Sequence, residues 1–238
     1  MTPIVVCSRR NTDVDWDDLD LAVRSMLHYS PADVWVFWQQ TDGGPGPQFD
    51  WCTESDVRLV AQPDDVDTFG AAYEFAMNRV LLDTEVRPDG FVIANDDIVL
   101  RPDTWQLLAD DVEALCDGGY RPAMVASRAN YVRAVQQTLG PAETVLETTA
   151  VSPLFAWIDS DAAVGVNWPH CNWYSDDILC HDWRADGWSV WVSRSWVHHV
   201  GERSTRANGE TQKDLNVQGL AWLREHRPDV AQALGVAL

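Results

Sequence analysis

The sequence predicts an α/β fold built on an open central sheet, and three observations lead to this class. Strand-like and helix-like patterns alternate through residues 1–120. Short apolar runs such as residues 91–94 have the composition of strands buried on both faces of such a sheet. Hydrophobic residues make up 46% of the 238 residues, so the chain can bury a sizeable core.

Four strands and three helices are predicted in the first half. The strands are the apolar runs at residues 4–7, 34–38, 57–60 and 91–94. The first helix stops before Pro31, the second begins at Asp67 or Thr68 as N-cap, and the third begins near Pro102. The apolar residues at helical spacing are Leu19, Val23, Met26 and Leu27, then Ala72, Ala76, Met77 and Val80, and finally Trp105, Leu108, Ala109, Val112 and Leu115.

The second half of the chain has a different pattern. Strands are predicted at residues 123–126 and 152–158, with little helix between them. Tryptophan recurs through residues 157–196 with Asp, Asn and His interleaved, and a helical tail begins at Thr211 and is interrupted at Pro228. No internal repeat or linker divides the sequence, which indicates one domain of residues 1–238.

The composition disfavours several partners and locations. The formal charge of −20 disfavours general binding to nucleic acid or anionic membranes, because both attract Lys and Arg. No apolar run approaches the roughly 20 residues that cross a bilayer, and no secretory signal is visible, so we expect a cytoplasmic protein. The five cysteines form no C-x-x-C pair and are expected to be reduced thiols.

Three polar clusters suggest chemistry. The first, Asn95 with Asp96 and Asp97, ends the apolar run at residues 91–94. Ligands gather at the carboxyl ends of strands in open α/β sheets. Two adjacent carboxylates there are costly unless a cation or ligand compensates them, and Mg²⁺ commonly takes carboxylates plus substrate phosphates. The other two clusters are the segments 175–177, Ser-Asp-Asp, and 197–201, Val-His-His-Val-Gly.

Five segments, taken in order, resemble the GT-A-fold nucleotide-sugar glycosyltransferases, in particular the large inverting group that includes family 2. The resemblance covers residues 3–205. The matching segments are the first strand and turn at 4–10, a helix with a leading Gly and later Asn at 70–78, an Asp-Asp variant of a strand ending in Asp-x-Asp at 91–102, an acidic pair followed by a Gly-aromatic step at 176–188, and a His-x-Gly segment at 199–201.

The resemblance implies an α/β, GT-A fold: a Rossmann-like nucleotide-binding layer with a mixed central sheet and a smaller acceptor-binding half. It places a nucleotide-sugar-binding half in residues 1–120, an acceptor and metal half in 121–205, and a helical tail in 206–238. The implied activity is metal-dependent, inverting transfer of one sugar from a nucleotide sugar, foremost a UDP-sugar, to an acceptor hydroxyl.

Such compact chains also resemble glycosyltransferases of bacteriophages, which would place the protein in the host cytoplasm. A modified DNA base, a virion or other protein, and a glycan are the acceptors left open. The chain lacks the Gln-x-x-Arg-Trp motif of processive synthases, so a single transfer fits better than polymer synthesis. Leu179 stands where the family usually has a second Asp.

The resemblance also assigns roles to residues. Asp97 would ligate Mn²⁺ or Mg²⁺, with Asp96 assisting. One of His198 and His199 would approach the same ion, and His199 is favoured by the His-x-Gly match. Asp177 is the candidate general base, with Asp176 orienting the acceptor or sharing that role. The remaining candidates are Ser8, Arg9, Arg10, Asn78 and Asn95 for the nucleotide and Trp173 for the acceptor.

Plainer alternatives exist for each cluster. Asn95 and Asp96 also suit a turn that closes a strand, and Asp176 with Asp177 suits the first turn of a helix. One of His198 and His199 could equally be a core residue and the other a surface residue. Asn78 could equally lie on an exposed helix face.

Two other functions compete with the transferase hypothesis. A sugar nucleotidyltransferase normally has a Gly-rich, basic loop after the first strand, whereas residues 8–11 lack glycine and the one lysine is Lys213. A non-catalytic carbohydrate-binding protein is compatible with the tryptophans, whose faces stack on sugar rings.

Overall fold

The computed structural model describes residues 2–10, 16–40, 45–84, 86–201 and 212–236. Helices and strands alternate through the first half of the chain. The strands are β1 (Ile4–Arg10), β2 (Val34–Gln40), β3 (Val57–Ala61), β4 (Gly90–Ala94), β5 (Ile98–Leu100), β6 (Pro122–Ala129), β7 (Leu146–Thr148), β8 (Phe155–Asp159) and β9 (Ser189–His199). The helices are α1 (Asp17–Tyr29), α2 (Phe69–Asp83), α3 (Thr104–Asp117), α4 (Ser160–Val164), α5 (Ser175–Ala185), α6 (Gln212–His226) and α7 (Pro228–Ala233).

All nine strands in the described ranges belong to one mixed sheet. Its order is β3-β2-β1-β4-β8-β6-β9-β5, and β7 pairs with β9 outside this path. β1, β2, β3 and β4 are parallel neighbours, whereas β8 runs antiparallel to both β4 and β6. β9 is parallel to β6 and antiparallel to β5 and β7. The carboxyl ends of β1, β2 and β4 therefore meet at one edge, where ligands bind in such sheets.

Helices cover both faces of the sheet because each strand alternates its side chains between two cores. In β1, Ile4 and Val6 join the core formed with α1 and α3, while Val5 joins the core formed with α2 and α5. A smaller cluster joins α5 to α6 and α7 through Ile178 and Leu223. The buried strands thus support the sheet edge at which the carboxyl ends of β1, β2 and β4 meet.

Most predicted elements are confirmed, and several are corrected. Thr68 is the N-cap of α2, since its hydroxyl accepts a hydrogen bond from the Ala71 amide at 3.3 Å. Ala109 was expected on the packed face of α3 but is exposed, because Asp111 occupies that face and binds Arg194 of β9 with an Nε–Oδ1 distance of 2.6 Å. β8 begins at Phe155, three residues after its predicted start.

The tryptophan-rich segment is largely core. Of the thirteen tryptophans, seven are buried, namely Trp35, Trp51, Trp157, Trp168, Trp183, Trp191 and Trp196. Trp157 packs against Gly90, where an added Cβ would lie 2.3 Å from its indole nitrogen. This packing weakens the hypothesis that the second half presents a broad tryptophan surface to glycans.

None of the helices in the described ranges combines the length and apolar character needed to pass through a membrane. All five cysteines are free thiols, which is consistent with the expected reduced state.

Candidate active site

A cleft of about 1090 Å³ lies at the carboxyl edge of the parallel strands. It runs from the ends of β1 and β2, past the residues that follow β4, to the N-terminus of α5 and the end of β9. Its size suits a nucleotide with an attached group, since ligand pockets typically measure about 300–1,000 Å³. The sequence-predicted residues that line it are Ser8, Arg9, Asn95, Asp96, Asp97, Trp173, Asp176, Asp177 and His199.

Asp97 and His199 face each other in this cleft. The antiparallel pairing of β5 with β9 places Ile98 opposite His199, and the Val200 amide donates to the Asp97 carbonyl at 2.8 Å. The His199 Nε2 atom consequently lies 3.1 Å from Asp97 Oδ2. Both side chains are nearly buried, with exposed fractions of 12% for His199 and 10% for Asp97.

The segment after β6 fixes the orientation of the His199 ring. Its Nδ1 atom lies 2.6 Å from the Tyr131 carbonyl, which can only accept a hydrogen bond, so Nδ1 carries a proton. The Asn130 side chain accepts from the His199 amide at 2.7 Å and donates to the His199 carbonyl at 3.0 Å. In the neutral imidazole, the lone pair of Nε2 is therefore directed at a carboxylate oxygen.

This contact is favourable only if a second proton or a cation compensates the two facing lone pairs. In addition, Asp97 Oδ1 is buried and has no hydrogen-bond partner among the described residues. A carboxylate oxygen suits both Mn²⁺ and Mg²⁺, whereas an imidazole nitrogen suits the softer Mn²⁺ better than the hard Mg²⁺. Mg²⁺ commonly takes only one or two protein groups and completes its shell with phosphate and water. The residues present therefore fit a divalent cation at Asp97 and His199.

Asp96 follows the same strand, β4, but its side chain lies toward β1. The Ser8 hydroxyl of β1 donates to Asp96 Oδ2 at 2.5 Å, and both residues are buried. Behind them the Tyr73 hydroxyl donates to the Ala94 carbonyl at 2.9 Å, which ties α2 to the end of β4. Asp96 is thus held toward the part of the cleft formed by β1, where Arg9 also lies.

The N-terminus of α2 lines the cleft, but its first amides are already occupied. Phe69 donates to the Asn172 side chain at 2.9 Å, and Gly70 donates to the Cys171 carbonyl at 3.4 Å. Gly70 allows this close approach, since an added Cβ would lie 1.8 Å from the Pro169 carbonyl oxygen. A phosphate bound in this cleft therefore depends on groups other than these amides for charge compensation.

Cys7 also lines the cleft. Burial, reinforced by the charge of Asp96, raises the pKa of its thiol well above the usual range. A neutral thiol is a weak nucleophile, so this environment does not activate Cys7.

Asp176 and Asp177 occupy the first turn of α5 and are held together by Arg133. The guanidinium donates to both oxygens of Asp177, at 2.7 and 2.9 Å, and to Asp176 Oδ2 at 3.1 Å. Asp176 Oδ2 also accepts from the Ser152 hydroxyl at 3.1 Å. Asp176 is the more exposed of the two carboxylates, at 16% against 5% for Asp177.

Opposing effects act on the pKa of Asp176 in this pair. Burial and then the charge of Asp177 raise the pKa of Asp176, whereas Arg133 and the Ser152 hydroxyl act to lower it. Burial acts against the charge on Arg133, but its hydrogen bond to Asp177 and both carboxylate charges outweigh burial and raise its pKa. Asp176 is therefore the carboxylate with the raised pKa, whereas Asp177 is the one that Arg133 holds through both oxygens.

Solved structures with a similar fold include two of TarS from S. aureus. A crystal structure of residues 1–349 of TarS from S. aureus matches with a TM-score of 0.54 at 10% identity, covering 83% of this chain and 60% of the TarS chain. A longer TarS structure matches with a TM-score of 0.56 at 8% identity, covering 84% of this chain and 37% of the other. TarS is a GT-A-type glycosyltransferase. The fold is GT-A.

At these identities the likeness establishes the fold and not the activity, and the chain spans 60% or less of the length of the TarS chains. Comparison of the sequence with protein-family models and with curated proteins finds no match. Any activity of this chain therefore depends on the residues of its own cleft.

Three sequence-predicted residues are not placed in the cleft. Asn78 lies on the exposed face of α2, so its alternative as an exposed helix residue fits the structure. His198 is exposed, and its ring lies 6.1 Å from that of Trp196. It points away from the side chain of His199 because neighbouring residues of a strand point to opposite faces. The side chain of Arg10 lies outside the described part of the structure.

Several residues of the cleft were not predicted from the sequence. Tyr131 and Arg133 line the cleft, and Asn130 beside them holds the His199 main chain. All three belong to a segment without a motif, and no local signal marks them. Gln39 follows the apolar run of β2 just as Asn95 follows that of β4, and this strand-end position was a usable signal. Its amide nitrogen donates to the Pro63 carbonyl at 2.8 Å, and its buried Oε1 has no hydrogen-bond partner among the described residues.

A second group of metal-ligating side chains lies away from this cleft. Among the described residues, His181, Asp182 and Asp229 have ligand atoms within 4.8 Å of one another. Arg227 binds both carboxylates, with nitrogen–oxygen distances of 2.6 Å to Asp182 and 2.8 Å to Asp229. Because a guanidinium already compensates these charges, the cluster is an ion-pair network rather than a candidate metal centre.

Proposed function

We propose that the protein is a glycosyltransferase that moves one sugar from a nucleotide-sugar donor to an acceptor hydroxyl with the help of a divalent cation. The observation that carries this proposal is the pair formed by Asp97 and His199 in the cleft that also contains Asp176 and Asp177. The GT-A fold supports it, because the same cleft position at the strand ends is where a donor binds in such sheets.

Asp97 and His199 would hold Mn²⁺ or Mg²⁺. When bound, this ion supplies Lewis-acid stabilisation of the charge on a diphosphate leaving group. The protein's own contribution is to orient the ligands. The Tyr131 carbonyl fixes the His199 ring, the Asn130 side chain holds the His199 main chain, and the Val200 amide fixes the chain at Asp97.

The donor's nucleoside would lie at the ends of β1 and β2. Ser8 and Arg9 border this region, and Asp96, held by Ser8, faces it. The unpartnered Oε1 of Gln39 can accept a hydrogen bond from a base N–H group. Uracil, thymine and guanine all carry such a group. A UDP-sugar is our preferred donor because the resemblance to nucleotide-sugar glycosyltransferases implies it, with guanine and thymine nucleotides as outcomes of the same test.

The acidic pair would supply the general base. In an inverting displacement the acceptor oxygen bonds to the anomeric carbon while the bond from that carbon to the diphosphate breaks. The electron pair of the broken bond leaves with the diphosphate, and the hydroxyl proton passes to a carboxylate. Asp177 is the proposed base, with Asp176, the more exposed carboxylate, orienting the acceptor or sharing the role.

Trp173 borders the acceptor end of the cleft together with Tyr174. The backbone of Tyr174 has a positive φ of 70°, a conformation that non-glycine residues adopt at a cost. Its hydroxyl donates a hydrogen bond to the Asn216 side chain at 2.5 Å. α6 approaches closely here because Gly219 lies against Trp173. We propose Trp173 as an acceptor contact, with protein, glycan and modified DNA base as the candidate acceptor classes.

Calorimetry with UDP, GDP and TDP, each with and without Mn²⁺, tests the donor half of the proposal. We expect one diphosphate to bind in a metal-dependent manner and Asp97→Ala to abolish this binding. Asp103→Ala, an exposed aspartate outside the cleft, serves as the matched control. Metal-independent binding of glycans, without diphosphate binding, would instead support a carbohydrate-binding protein.

The transfer step requires a separate test. Mass spectrometry of protein, glycan and DNA acceptors after incubation with a panel of nucleotide sugars should show the mass of one added sugar. Asp177→Asn should keep diphosphate binding and lose most transfer, and unchanged turnover in that variant would refute its assignment as base.

A further inference from the structure

We propose that Arg133 is a positioning residue that keeps the acidic pair Asp176–Asp177 ionised and oriented for proton transfer. This inference rests on the proposed function of the cleft. Arg133 follows β6 in a segment with no recognisable motif, and its role emerges only from its contacts across the cleft.

The geometry is that of a clamp on both carboxylates. Arg133 donates from two different nitrogens to the two oxygens of Asp177, at 2.7 and 2.9 Å. One of these nitrogens also donates to Asp176 Oδ2 at 3.1 Å, and the Nε atom donates to the Ser152 hydroxyl at 3.4 Å. A planar guanidinium that makes a bidentate contact fixes the plane of its partner carboxylate, which a lysine cannot do.

Arg133 also compensates the negative charge of the acidic pair. Two neighbouring carboxylates with 16% and 5% exposure repel each other in a poorly solvated site, so one of them tends to retain a proton. A protonated carboxyl cannot act as a general base. Arg133 opposes this tendency, because its positive charge favours the ionised form of Asp176.

Two thiols and a phenol are the other titratable groups that the described ranges place beside the pair, and they are neutral over the working range of pH. Burial raises the pKa of both Cys171 and Cys180 to about 12, and it also raises that of the Tyr174 hydroxyl. Arg133 is therefore the cation that compensates the pair among these described neighbours.

The same segment also positions the other half of the site. Asn130 and Tyr131 bind His199, and Arg133 follows two residues after Tyr131. One short stretch of chain thus sets the relative placement of the proposed metal ligand and the proposed base. A change at Arg133 that leaves Asn130 and Tyr131 in place should affect the acidic pair while sparing diphosphate binding.

The first test needs no substrate. Carbon-13 NMR of the aspartate carboxyl carbons is recorded from pH 4 to pH 9 for the wild type, Arg133→Met and a control, Arg227→Met. Arg227 makes a similar two-nitrogen contact to Asp182, at 2.8 and 2.6 Å, with 24% exposure against 29% for Arg133. Signals missing in Asp176→Asn and Asp177→Asn identify the pair.

We expect proton uptake by the pair to move to higher pH by about 1 to 3 pH units in Arg133→Met and to stay unchanged in Arg227→Met. Unchanged titration of the pair in Arg133→Met would overturn the proposal. This result is independent of whether the protein binds a nucleotide, so it is distinguishable from failure of the proposed function, which the calorimetry reports.

The second test uses release of UDP from UDP-glucose and UDP-N-acetylglucosamine with water as acceptor. In Arg133→Met the acid limb of the pH profile should move to higher pH, so the loss of turnover is larger at pH 6 than at pH 8.5. A loss that is equal at all pH values would show a merely structural role and overturn the proposal.

Arg133→Lys separates charge from geometry and remains informative if Arg133→Met does not fold. The lysine retains the positive charge but not the two-pronged contact. We expect the acid limb to stay near that of the wild type while turnover is reduced at every pH and the affinity for UDP with Mn²⁺ is unchanged. Wild-type turnover in this variant would refute the orienting role.

Discussion

The Nε2 atom of His199 lies 3.1 Å from Asp97 Oδ2, although 102 positions separate the two residues in the sequence. Since Nδ1 of the same ring donates to the Tyr131 carbonyl, the contact is favourable in only two states. Either a second proton is shared between Nε2 and Oδ2, or a bound cation would compensate both atoms. The two states respond differently to added metal, which makes the relationship testable.

Replacement of His199 by alanine should weaken Mn²⁺-dependent binding of the nucleoside diphosphate by at least about 10-fold, the loss commonly seen when even an outer partner of a metal ligand is removed. Calorimetry with Mn²⁺ measures this effect. His198→Ala is the matched control, because His198 is adjacent but exposed and lies outside the cleft. Equal losses in both variants would contradict the assignment of His199.

Removal of the Ser8 hydroxyl should destabilise the fold near Asp96. The Ser8 Oγ atom donates to Asp96 Oδ2 at 2.5 Å, and both side chains are buried. Hydrogen bonds to charged groups contribute about 1.5–3 kcal/mol, so Ser8→Ala should lower the free energy of unfolding by about that amount. Urea denaturation measures the change. A variant as stable as the wild type would show that this bond contributes nothing net.

Gly70 is predicted to be intolerant of alanine. An added Cβ would lie 1.8 Å from the Pro169 carbonyl oxygen, so the N-terminus of α2 would have to separate from the segment it binds. Overpacking of this kind typically costs about 1–3 kcal/mol, measurable by urea denaturation. Gly140→Ala is the control, since an added Cβ there meets no atom within 4 Å. Comparable stability of the two variants would contradict the close packing at Gly70.

The ion pair of Asp229 with Arg227 should give a pH-dependent contribution to stability. The hydrogen bond from Arg227 is the main reason that the pKa of Asp229 is lowered to about 2. A lowered pKa in the folded state means that the stabilisation is complete above the unfolded value near 4 and disappears as the pH falls through about 2.

Asp229→Asn should therefore be less stable than the wild type near neutral pH, by about 0.2–1 kcal/mol because the Asp229 side chain is 53% exposed and water screens the pair. Urea unfolding at several pH values should show this difference shrinking between about pH 4 and pH 2. Asp103→Asn, whose carboxylate lies 3.9 Å from Arg101, serves as the control and should differ little from the wild type. A difference that is constant with pH would contradict the linkage.

Local patterns account for the parts of the fold that the sequence predicted. The strands β1 to β4 are short apolar runs, and the buried faces of α1 and α2 are periodic over a few residues. Asp96 and Asp97 were recognisable because they follow such a run directly. Thr68 was recognisable as a cap because capping depends on the residues next to it.

The elements that the sequence analysis missed depend on contacts between distant residues. β9 carries His199 but mixes Ser, Arg and Trp with Val, a composition without a clear local signal. Its pairing with β5, β6 and β7 makes it a strand. Ala109 was misplaced because Asp111, a residue with no apolar character, occupies the packed face through its bond to Arg194.

By itself, the sequence determined the α/β class, the acidic strand end at Asp97 and the acidic helix start at Asp176, because each depends on neighbouring residues. Only the tertiary structure decided that His199 rather than His198 faces Asp97, and that Arg133 binds the acidic pair. Those choices depend on strand register and on loop placement across tens of residues, and no local propensity encodes either.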